Sequence, residues 1–275
     1  MTADVKRSSL WPRILAAAVL VPAALGAVYL GGWVLAVWVA AVGVAMAVEW
    51  TAIVHRERMG WKLGLHVAAL AASQALIALG HADWALTSIL FAALIGNVVA
   101  QGRQERGLWV ALGILYIAVP CLALVWLRGQ APHGLGMVVW LFVVVWATDS
   151  AAYLAGSAVG GPKLAPDISP SKTWAGAIAG LAAGMAATIA FAQLFGGVAA
   201  DVRLVAAGML LSLLTQCGDL AESSLKRTFG VKDASDLIPG HGGALDRLDG
   251  MIFATLGLAA YVAGTSISPL AWMVS

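Results

Sequence analysis

Residues 14–53 read ILAAAVLVPAALGAVYLGGWVLAVWVAAVGVAMAVEWTAI, an apolar run divided by the pair Gly31 and Gly32. A helix needs about 20 mostly apolar residues to cross the hydrocarbon core of a bilayer. The run is long enough for two such helices, with the glycine pair between them. A strand of a membrane barrel would alternate apolar and polar residues, and this run does not alternate. The stretch therefore predicts two consecutive transmembrane helices.

The rest of the chain has the same character. Of its 275 residues, 61% are hydrophobic and 11% are charged, and the mean hydropathy is +0.89. Such a composition is typical of integral membrane proteins. We therefore predict an all-α, polytopic membrane protein with about nine transmembrane helices. The apolar segments are residues 14–30, 33–53, 63–80, 84–100, 108–127, 135–155, 174–196, 203–220 and 248–270.

Positive residues indicate the orientation, because Lys and Arg collect in the cytoplasmic connections of membrane proteins. With nine spans and a cytoplasmic N-terminus, only Arg128 and Arg203 of the sixteen Lys and Arg fall in outer connections. This arrangement places residues 219–250 at the cytoplasmic face. A cleaved signal peptide is the alternative for the first segment. Trp11, Pro12 and the closely following second span favour a retained helix.

The first of three polar patches closes the sixth span and reads WATDSAAYLAGSAVGGPKLAPDISPSKTWAG, residues 146–176. Asp149 and Tyr153 are four residues apart and share one face of a helix. Several Gly and Pro then predict a loop of roughly sixteen residues, after which Ser169 would cap the next helix. A helix N-terminus favours a phosphate, although a capped helix with an interfacial lysine is the simpler alternative. The candidate phosphate contacts are Ser171, Lys172 and Thr173.

The second patch is the end of the eighth span, CGDLAESSLKR, residues 217–227. An ion pair between Glu222 and Lys226 on a wetted helix end explains two of its polar residues, at a gain of roughly a few tenths of a kcal/mol. Asp219 lies one turn deeper, where a carboxylate needs a partner or a cation. The spacing of three and four residues places most of the patch on one side of the helix: Asp219, Glu222, Ser223, Lys226 and Arg227.

The third patch is KDASDLIPGHGGALDRLDG, residues 232–250. Its glycines permit positive φ, and successive N–H groups in such a turn can form an anion-binding nest. Asp246 and Asp249 follow three residues apart at the start of the last helix. A tight reversal followed by ordinary N-terminal helix charges is the alternative. The candidate anion ligands of the turn are Gly240, His241, Gly242, Gly243 and Arg247.

Together the patches combine carboxylates from two helices with cations and Gly-rich turns. Hard oxygen ligands suit Mg²⁺ better than Zn²⁺, and Mg²⁺ completes its shell with water and substrate phosphates. Asp219 with Asp246 or Asp249 fits that need, and the cations would neutralise phosphate oxygens. The residues alone predict phosphate chemistry on a lipid at the inner membrane face. They leave kinase, phosphatase and nucleotidyl transfer open.

The run SSLKRTFGVKDASDLIPGHGGALDRLD, residues 223–249, resembles the signature of the phosphatidate cytidylyltransferases, also called CDP-diacylglycerol synthases. The shared pattern is S-x-L-K-R, four residues, K-D, and later P-G-H-G-G-x-x-D-R-x-D. Residues 149–174 are similar to the upstream block of that family. Two positions depart from the family, because Ser157 stands where a basic residue is frequent and Ala175 where Glu or Gln is frequent. Residues 1–130 are similar only in being apolar spans.

The resemblance implies transfer of CMP from CTP to phosphatidate, giving CDP-diacylglycerol and pyrophosphate with the help of Mg²⁺, or of Mn²⁺ as a substitute. It assigns the metal to Asp219, Asp246 and Asp249. The residues it assigns to catalysis are Asp219, Lys226, Arg227, Lys232, Asp233, His241, Asp246 and Arg247. The residues it assigns to substrate binding are Tyr153, Ser171, Lys172, Thr173, Ser223, Gly240, Gly242 and Gly243.

The expected partners are CTP, phosphatidate and the lipid bilayer, without nucleic acid, at the cytoplasmic (inner) membrane of a bacterium. We expect N-terminal spans in residues 1–130 and a catalytic region in residues 131–275. A homodimer is compatible with such an enzyme, although no residue pattern indicates one. One alternative is a cytidylyltransferase or kinase acting on another membrane lipid or a polyprenol. The other is a secondary transporter with Asp149 and Asp219 as ion-coupling residues, which charges gathered at one face disfavour.

Overall fold

The structure is a computed structural model that describes residues 10–235 and 242–273. Within these residues the chain forms nine α-helices and one short antiparallel hairpin, which confirms the predicted all-α architecture. The helices are α1 Leu10–Leu30, α2 Gly32–Val54, α3 Trp61–Ala78, α4 Ala82–Gly102, α5 Gly107–Arg128, α6 Gly134–Ala158, α7 Trp174–Phe191, α8 Val202–Thr228 and α9 Leu245–Thr265. The hairpin strands are β1 Lys163–Ala165 and β2 Ser169–Thr173.

Each helix coincides with one predicted apolar segment. The eight helices from α2 onwards are long and apolar enough to cross a membrane, counting for α7 the π turn Ala192–Gly196 that extends it. The first helix contributes a shorter apolar stretch, Ala18–Leu30. Helix α8 extends beyond its apolar segment, 203–220, to Thr228, which confirms that the second patch lies on the end of this helix. The charged residues of the second patch therefore lie on a helix throughout.

The chain divides into two compact units. The first consists of the residues up to Val125 together with Phe229–Arg247, and the second of Trp126–Thr228 together with the chain from Leu248 onwards. The loop that follows α8 thus belongs with the N-terminal helices. The division into N-terminal spans, residues 1–130, and a catalytic region, residues 131–275, was based on function and stays a prediction.

A cluster of aromatic side chains packs together in the first unit. Trp50 of α2 is 2% exposed, stacks at a tilt against Tyr116 of α5 with ring centroids 5.4 Å apart, and donates its indole N–H to the Trp109 carbonyl oxygen at 3.3 Å. Trp109 in turn packs edge-on against Phe229, with centroids 4.8 Å apart. The start of the loop after α8 is therefore in contact with the aromatic core of the N-terminal helices.

Glycines allow the helices of the second unit to approach closely. A Cβ on Gly180 of α7 would lie 3.2 Å from the Thr148 carbonyl oxygen of α6, and one on Gly184 would lie 2.7 Å from Ser212 Cβ of α8. Small residues at every fourth position are typical of packed membrane helices. Thr148 Oγ1 donates to Ser212 Oγ at 2.8 Å, and Ser212 Oγ donates to the Gly180 carbonyl oxygen at 3.1 Å. These contacts join α6, α7 and α8.

A second close approach joins α8 to α9. A Cβ on Gly218 would collide with the Asp249 carbonyl oxygen, and one on Gly250 would lie 2.6 Å from Thr215 Cγ2. The two backbones therefore touch at the position where α8 carries Asp219 and α9 carries Asp249. This contact brings those two carboxylates together.

Gly250→Val is expected to destabilise the protein by about 1–3 kcal/mol, because the added side chain forces α8 and α9 apart. The matched control is Gly264→Val in the same helix, where a Cβ meets nothing within 4 Å. The measurement is the thermal midpoint of both variants in detergent. Equal midpoints for the two variants would contradict the close packing of α9 on α8.

Candidate active site

Asp219 of α8 is the centre of the candidate site. Its Oδ2 lies 2.6 Å from Lys172 Nζ, and the Asp219 and Lys172 side chains are 40% and 20% exposed. The Asp249 carboxyl group interacts electrostatically with the Asp219 carboxyl group. Asp149 of α6 lies near enough to Asp219 and Lys172 to interact with both electrostatically. Asp149 and Asp249 thus both interact with Asp219, and Lys172 is the cationic partner that was predicted for Asp219.

Lys172 is positioned by the hairpin. Strand β2 pairs with β1, with Lys163 opposite Thr173, and α7 begins directly after the strand. Thr173 is the N-cap, because its hydroxyl accepts the Gly176 N–H at 3.1 Å. The prediction that Ser169 caps this helix was wrong: strand pairing extends Ser169–Thr173 and moves the start of the helix to Trp174. Lys172 therefore lies one residue before the cap.

Glu222 and Lys226 form a second ion pair, with Glu222 Oε2 2.6 Å from Lys226 Nζ. The predicted ion pair is confirmed, and the end of α8 is exposed at Arg227, but the Glu222 side chain is only 2% exposed and is not on a wetted surface as that interpretation had it. Glu222 also interacts electrostatically with Asp249, while Arg227 Nε donates to the Ile168 carbonyl oxygen of the hairpin at 3.3 Å.

The charges of this cluster suit a divalent cation. Four carboxyl groups, from Asp149, Asp219, Glu222 and Asp249, accompany the two ammonium groups of Lys172 and Lys226. Among the residues that the structure describes, no three His, Cys, Asp or Glu side chains form a ready metal cage. Mg²⁺ needs no such cage, since it binds one or two carboxylates and keeps water and phosphate oxygens as its other ligands. The close pair Asp219 and Asp249 fits this pattern.

Asp246 lies in the first unit and holds the Gly-rich turn. Its Oδ2 accepts the Ala234 N–H at 3.0 Å and the Gly243 N–H at 3.1 Å. Gly242 has a φ of 84°, which confirms that the turn uses a backbone conformation favourable only to glycine. The role of Asp246 as a metal ligand stays a prediction.

Comparison with known proteins places the chain in a family. Residues 11–264 match the model of the cytidylyltransferase family. The chain belongs to this family. It is 41% identical over 255 residues to the phosphatidate cytidylyltransferase of Brucella suis biovar 1, a match that covers 90% of this chain and 91% of that protein. It is 36% identical over 201 residues to the phosphatidate cytidylyltransferase of Pseudomonas aeruginosa, covering 71% and 72%.

Several predicted site residues of this cytidylyltransferase are exposed. They are Tyr153, Ser171, Arg227, Lys232, Asp233 and Arg247, whereas Ser223 is half-buried. The Thr173 hydroxyl is buried and used in capping α7. Gly240 and His241 lie outside the described residues. The assignments of all these residues to catalysis or substrate binding stay predictions.

One residue of the cytidylyltransferase was missed in the sequence. Glu49 lies in α2 within the apolar stretch AVEWTAIV and is 1% exposed. It accepts hydrogen bonds from Ser235, Ala244 and Leu245, which belong to the loop and to the start of α9. An ionisable residue inside a membrane span is a functional candidate by default, and that rule would have found Glu49.

Proposed function

We propose that this cytidylyltransferase transfers CMP from CTP to phosphatidate, producing CDP-diacylglycerol and pyrophosphate for phospholipid synthesis. The observation that carries the proposal is the extent of the similarity, since relatives named for this activity match nearly the whole chain. The cluster of carboxylates and ammonium groups around Asp219 supports it, because a triphosphate and a lipid phosphate are both polyanions that need cations nearby.

The reaction is an in-line displacement at phosphorus. A phosphate oxygen of phosphatidate forms a new bond to the α-phosphorus of CTP. The bond from that phosphorus to the bridging oxygen of the β-phosphate breaks, and pyrophosphate leaves with the electron pair. No covalent intermediate on the protein is needed, so the protein acts by positioning the two phosphates and neutralising their charge.

Different side chains of the second unit would neutralise the phosphate charge and hold the metal ion. Lys172 and Lys226 place ammonium groups beside the carboxylates, and Arg227 connects the end of α8 to the hairpin. These cations would face the phosphate oxygens and the leaving pyrophosphate. Asp219 and Asp249 would hold Mg²⁺, which would polarise the phosphate oxygens and orient the two substrates, with Mn²⁺ as a substitute.

We place the site at the cytoplasmic face of a bacterial inner membrane. The distribution of Lys and Arg along the nine spans supports this orientation. There a soluble nucleotide can reach the site from water, while the acyl chains of phosphatidate stay in the bilayer. The substrate lipid then never has to leave the membrane.

The test uses CTP labelled at either the α- or the γ-phosphate, incubated with the purified full chain, Mg²⁺ and one lipid at a time. We expect α-label, and no γ-label, in the chloroform-extractable product with phosphatidate. γ-Label in the lipid would show a kinase instead. α-Label with a polyprenyl phosphate but not with phosphatidate would show a cytidylyltransferase for another lipid. No labelled lipid from folded protein with any acceptor would overturn the proposal and favour transport.

A further inference from the structure

Glu49 is a buried acidic residue in the second membrane helix. It is 1% exposed, and α2 is one of the helices long and apolar enough to span the membrane. A carboxylate in such a place costs several kcal/mol unless hydrogen-bond donors surround it. Because burying a carboxylate is so unfavourable, Glu49 requires hydrogen bonds that stabilise it.

The donors come from the far end of the chain. Glu49 Oε1 accepts the Ser235 hydroxyl at 2.6 Å and the Ala244 N–H at 2.8 Å, and Oε2 accepts the Leu245 N–H at 2.8 Å. Leu245 is the first residue of α9. The free N–H groups at the start of a helix are normally capped by a residue next to them in sequence. Here the capping carboxylate lies 195 residues away from Ala244, and its charge also suits the positive end of the helix dipole.

Gly243 permits this contact. A Cβ at that position would lie 2.8 Å from both Glu49 Oε2 and Ala234 Cβ, closer than real side chains pack. The glycine before α9 is therefore needed for the approach of Glu49, in addition to any role in binding a ligand.

The other end of the same loop is also attached to the N-terminal helices. Arg56, just after α2, donates from Nη2 to the Phe229 carbonyl oxygen at 2.5 Å, and the Phe229 ring packs against Trp109. Contacts from α2 and α5 thus secure the described parts of the loop, Phe229 at its start and Ser235, Ala244 and Leu245 further on.

We propose that Glu49 is a positioning residue for cytidylyl transfer. It fixes the first turn of α9 and so sets where Asp246 and Arg247 are presented. The inference rests on the proposed function for its catalytic consequence, but the hydrogen bonds of Glu49 are independent of it. The N-terminal helices then contribute to the reaction as well as to membrane insertion.

The experiment compares Glu49→Gln with Glu57→Gln in the full-length protein. The first substitution keeps the size of the side chain but brings an NH₂ group towards N–H donors, whereas the Glu57 side chain pairs with Lys62 at 3.0 Å. We expect faster hydrogen exchange of the Ala244 and Leu245 amides in Glu49→Gln without substrates. With substrates we expect kcat to fall about 10–100-fold, as when other supporting hydrogen bonds of active sites are removed, and the KM for CTP to change much less. Glu57→Gln should resemble wild type in both measurements.

Ser235→Ala removes only one of the three donors and serves if Glu49→Gln does not fold. It should speed exchange at the same amides by a smaller factor. Unchanged exchange in both Glu49→Gln and Ser235→Ala would overturn the inference, as would wild-type kcat in a folded Glu49→Gln. If wild type transfers no CMP and exchange still responds to Glu49→Gln, the proposed function fails and the structural contact stands.

Discussion

Asp219→Asn is expected to lower the rate of CMP transfer to phosphatidate by about 10³-fold, the size of effect seen when a key electrostatic group of an active site is neutralised. The substitution keeps the shape of the side chain and removes the charge that faces Lys172 at 2.6 Å and lies against Asp249. The measurement is the transfer of α-labelled CMP into lipid under saturating substrates and Mg²⁺.

Asp201→Asn is the control for that variant. Asp201 precedes α8, and its Oδ1 lies 3.0 Å from Arg203 Nε. The hydrogen bonds from Arg203 hold the pKa of Asp201 below its usual range, so this carboxylate is also charged and paired. It lies at the opposite end of α8 from Asp219 and should be dispensable. If both variants kept most of their activity, the assignment of Asp219 would be wrong.

Lys226→Met is expected to reduce both stability and activity. It takes the ammonium group away from Glu222, which is 2% exposed and close to Asp249. Removing one partner of a buried ion pair costs about 3 kcal/mol, because the remaining charge stays in a poorly solvated place. We expect the loss in the free energy of unfolding of the detergent-solubilised protein, together with strongly reduced CMP transfer.

The double variant Glu222→Gln with Lys226→Met separates these two effects. With Glu222 neutral, the buried charge that Lys226 had compensated is gone, so most of the lost stability should return. Activity should stay low, because the ammonium group that would face the phosphates is still missing. Recovery of wild-type activity in the double variant would show that Lys226 serves stability alone.

The membrane helices were predictable because lipid imposes one simple requirement. Any segment that crosses the bilayer must be long and apolar, and the Gly31 and Gly32 pair was enough to separate α1 from α2. The polar end of α8 was predictable from spacing, because Asp219, Glu222 and Lys226 recur at three and four residues as on one face of a helix. An apolar run predicts the part of a helix that lies in lipid. It does not predict where the helix ends outside the lipid.

The site was predictable where a few residues in sequence order carry the chemistry. Asp219, Lys172 and Asp249 were all candidates, and the structure brings them together. The hairpin was not predicted, since Ser169 and Pro170 are good signals for a helix start, and only pairing with Lys163–Ala165 makes them a strand. Glu49 was visible as an ionisable residue in an apolar stretch, but its partners Ser235, Ala244 and Leu245 are too distant in sequence for any local pattern to show them.

The distance between Glu49 and its donors has a consequence for biosynthesis. At translation rates of about 5–20 residues per second, the ribosome reaches Ala244 some 10–40 s after Glu49. During that interval the carboxyl group of Glu49 lacks the amide donors that it has in the folded protein. A nascent chain that stops before Ala244 never supplies these amides, so the full set of Glu49 hydrogen bonds forms only after synthesis has reached the start of the last helix.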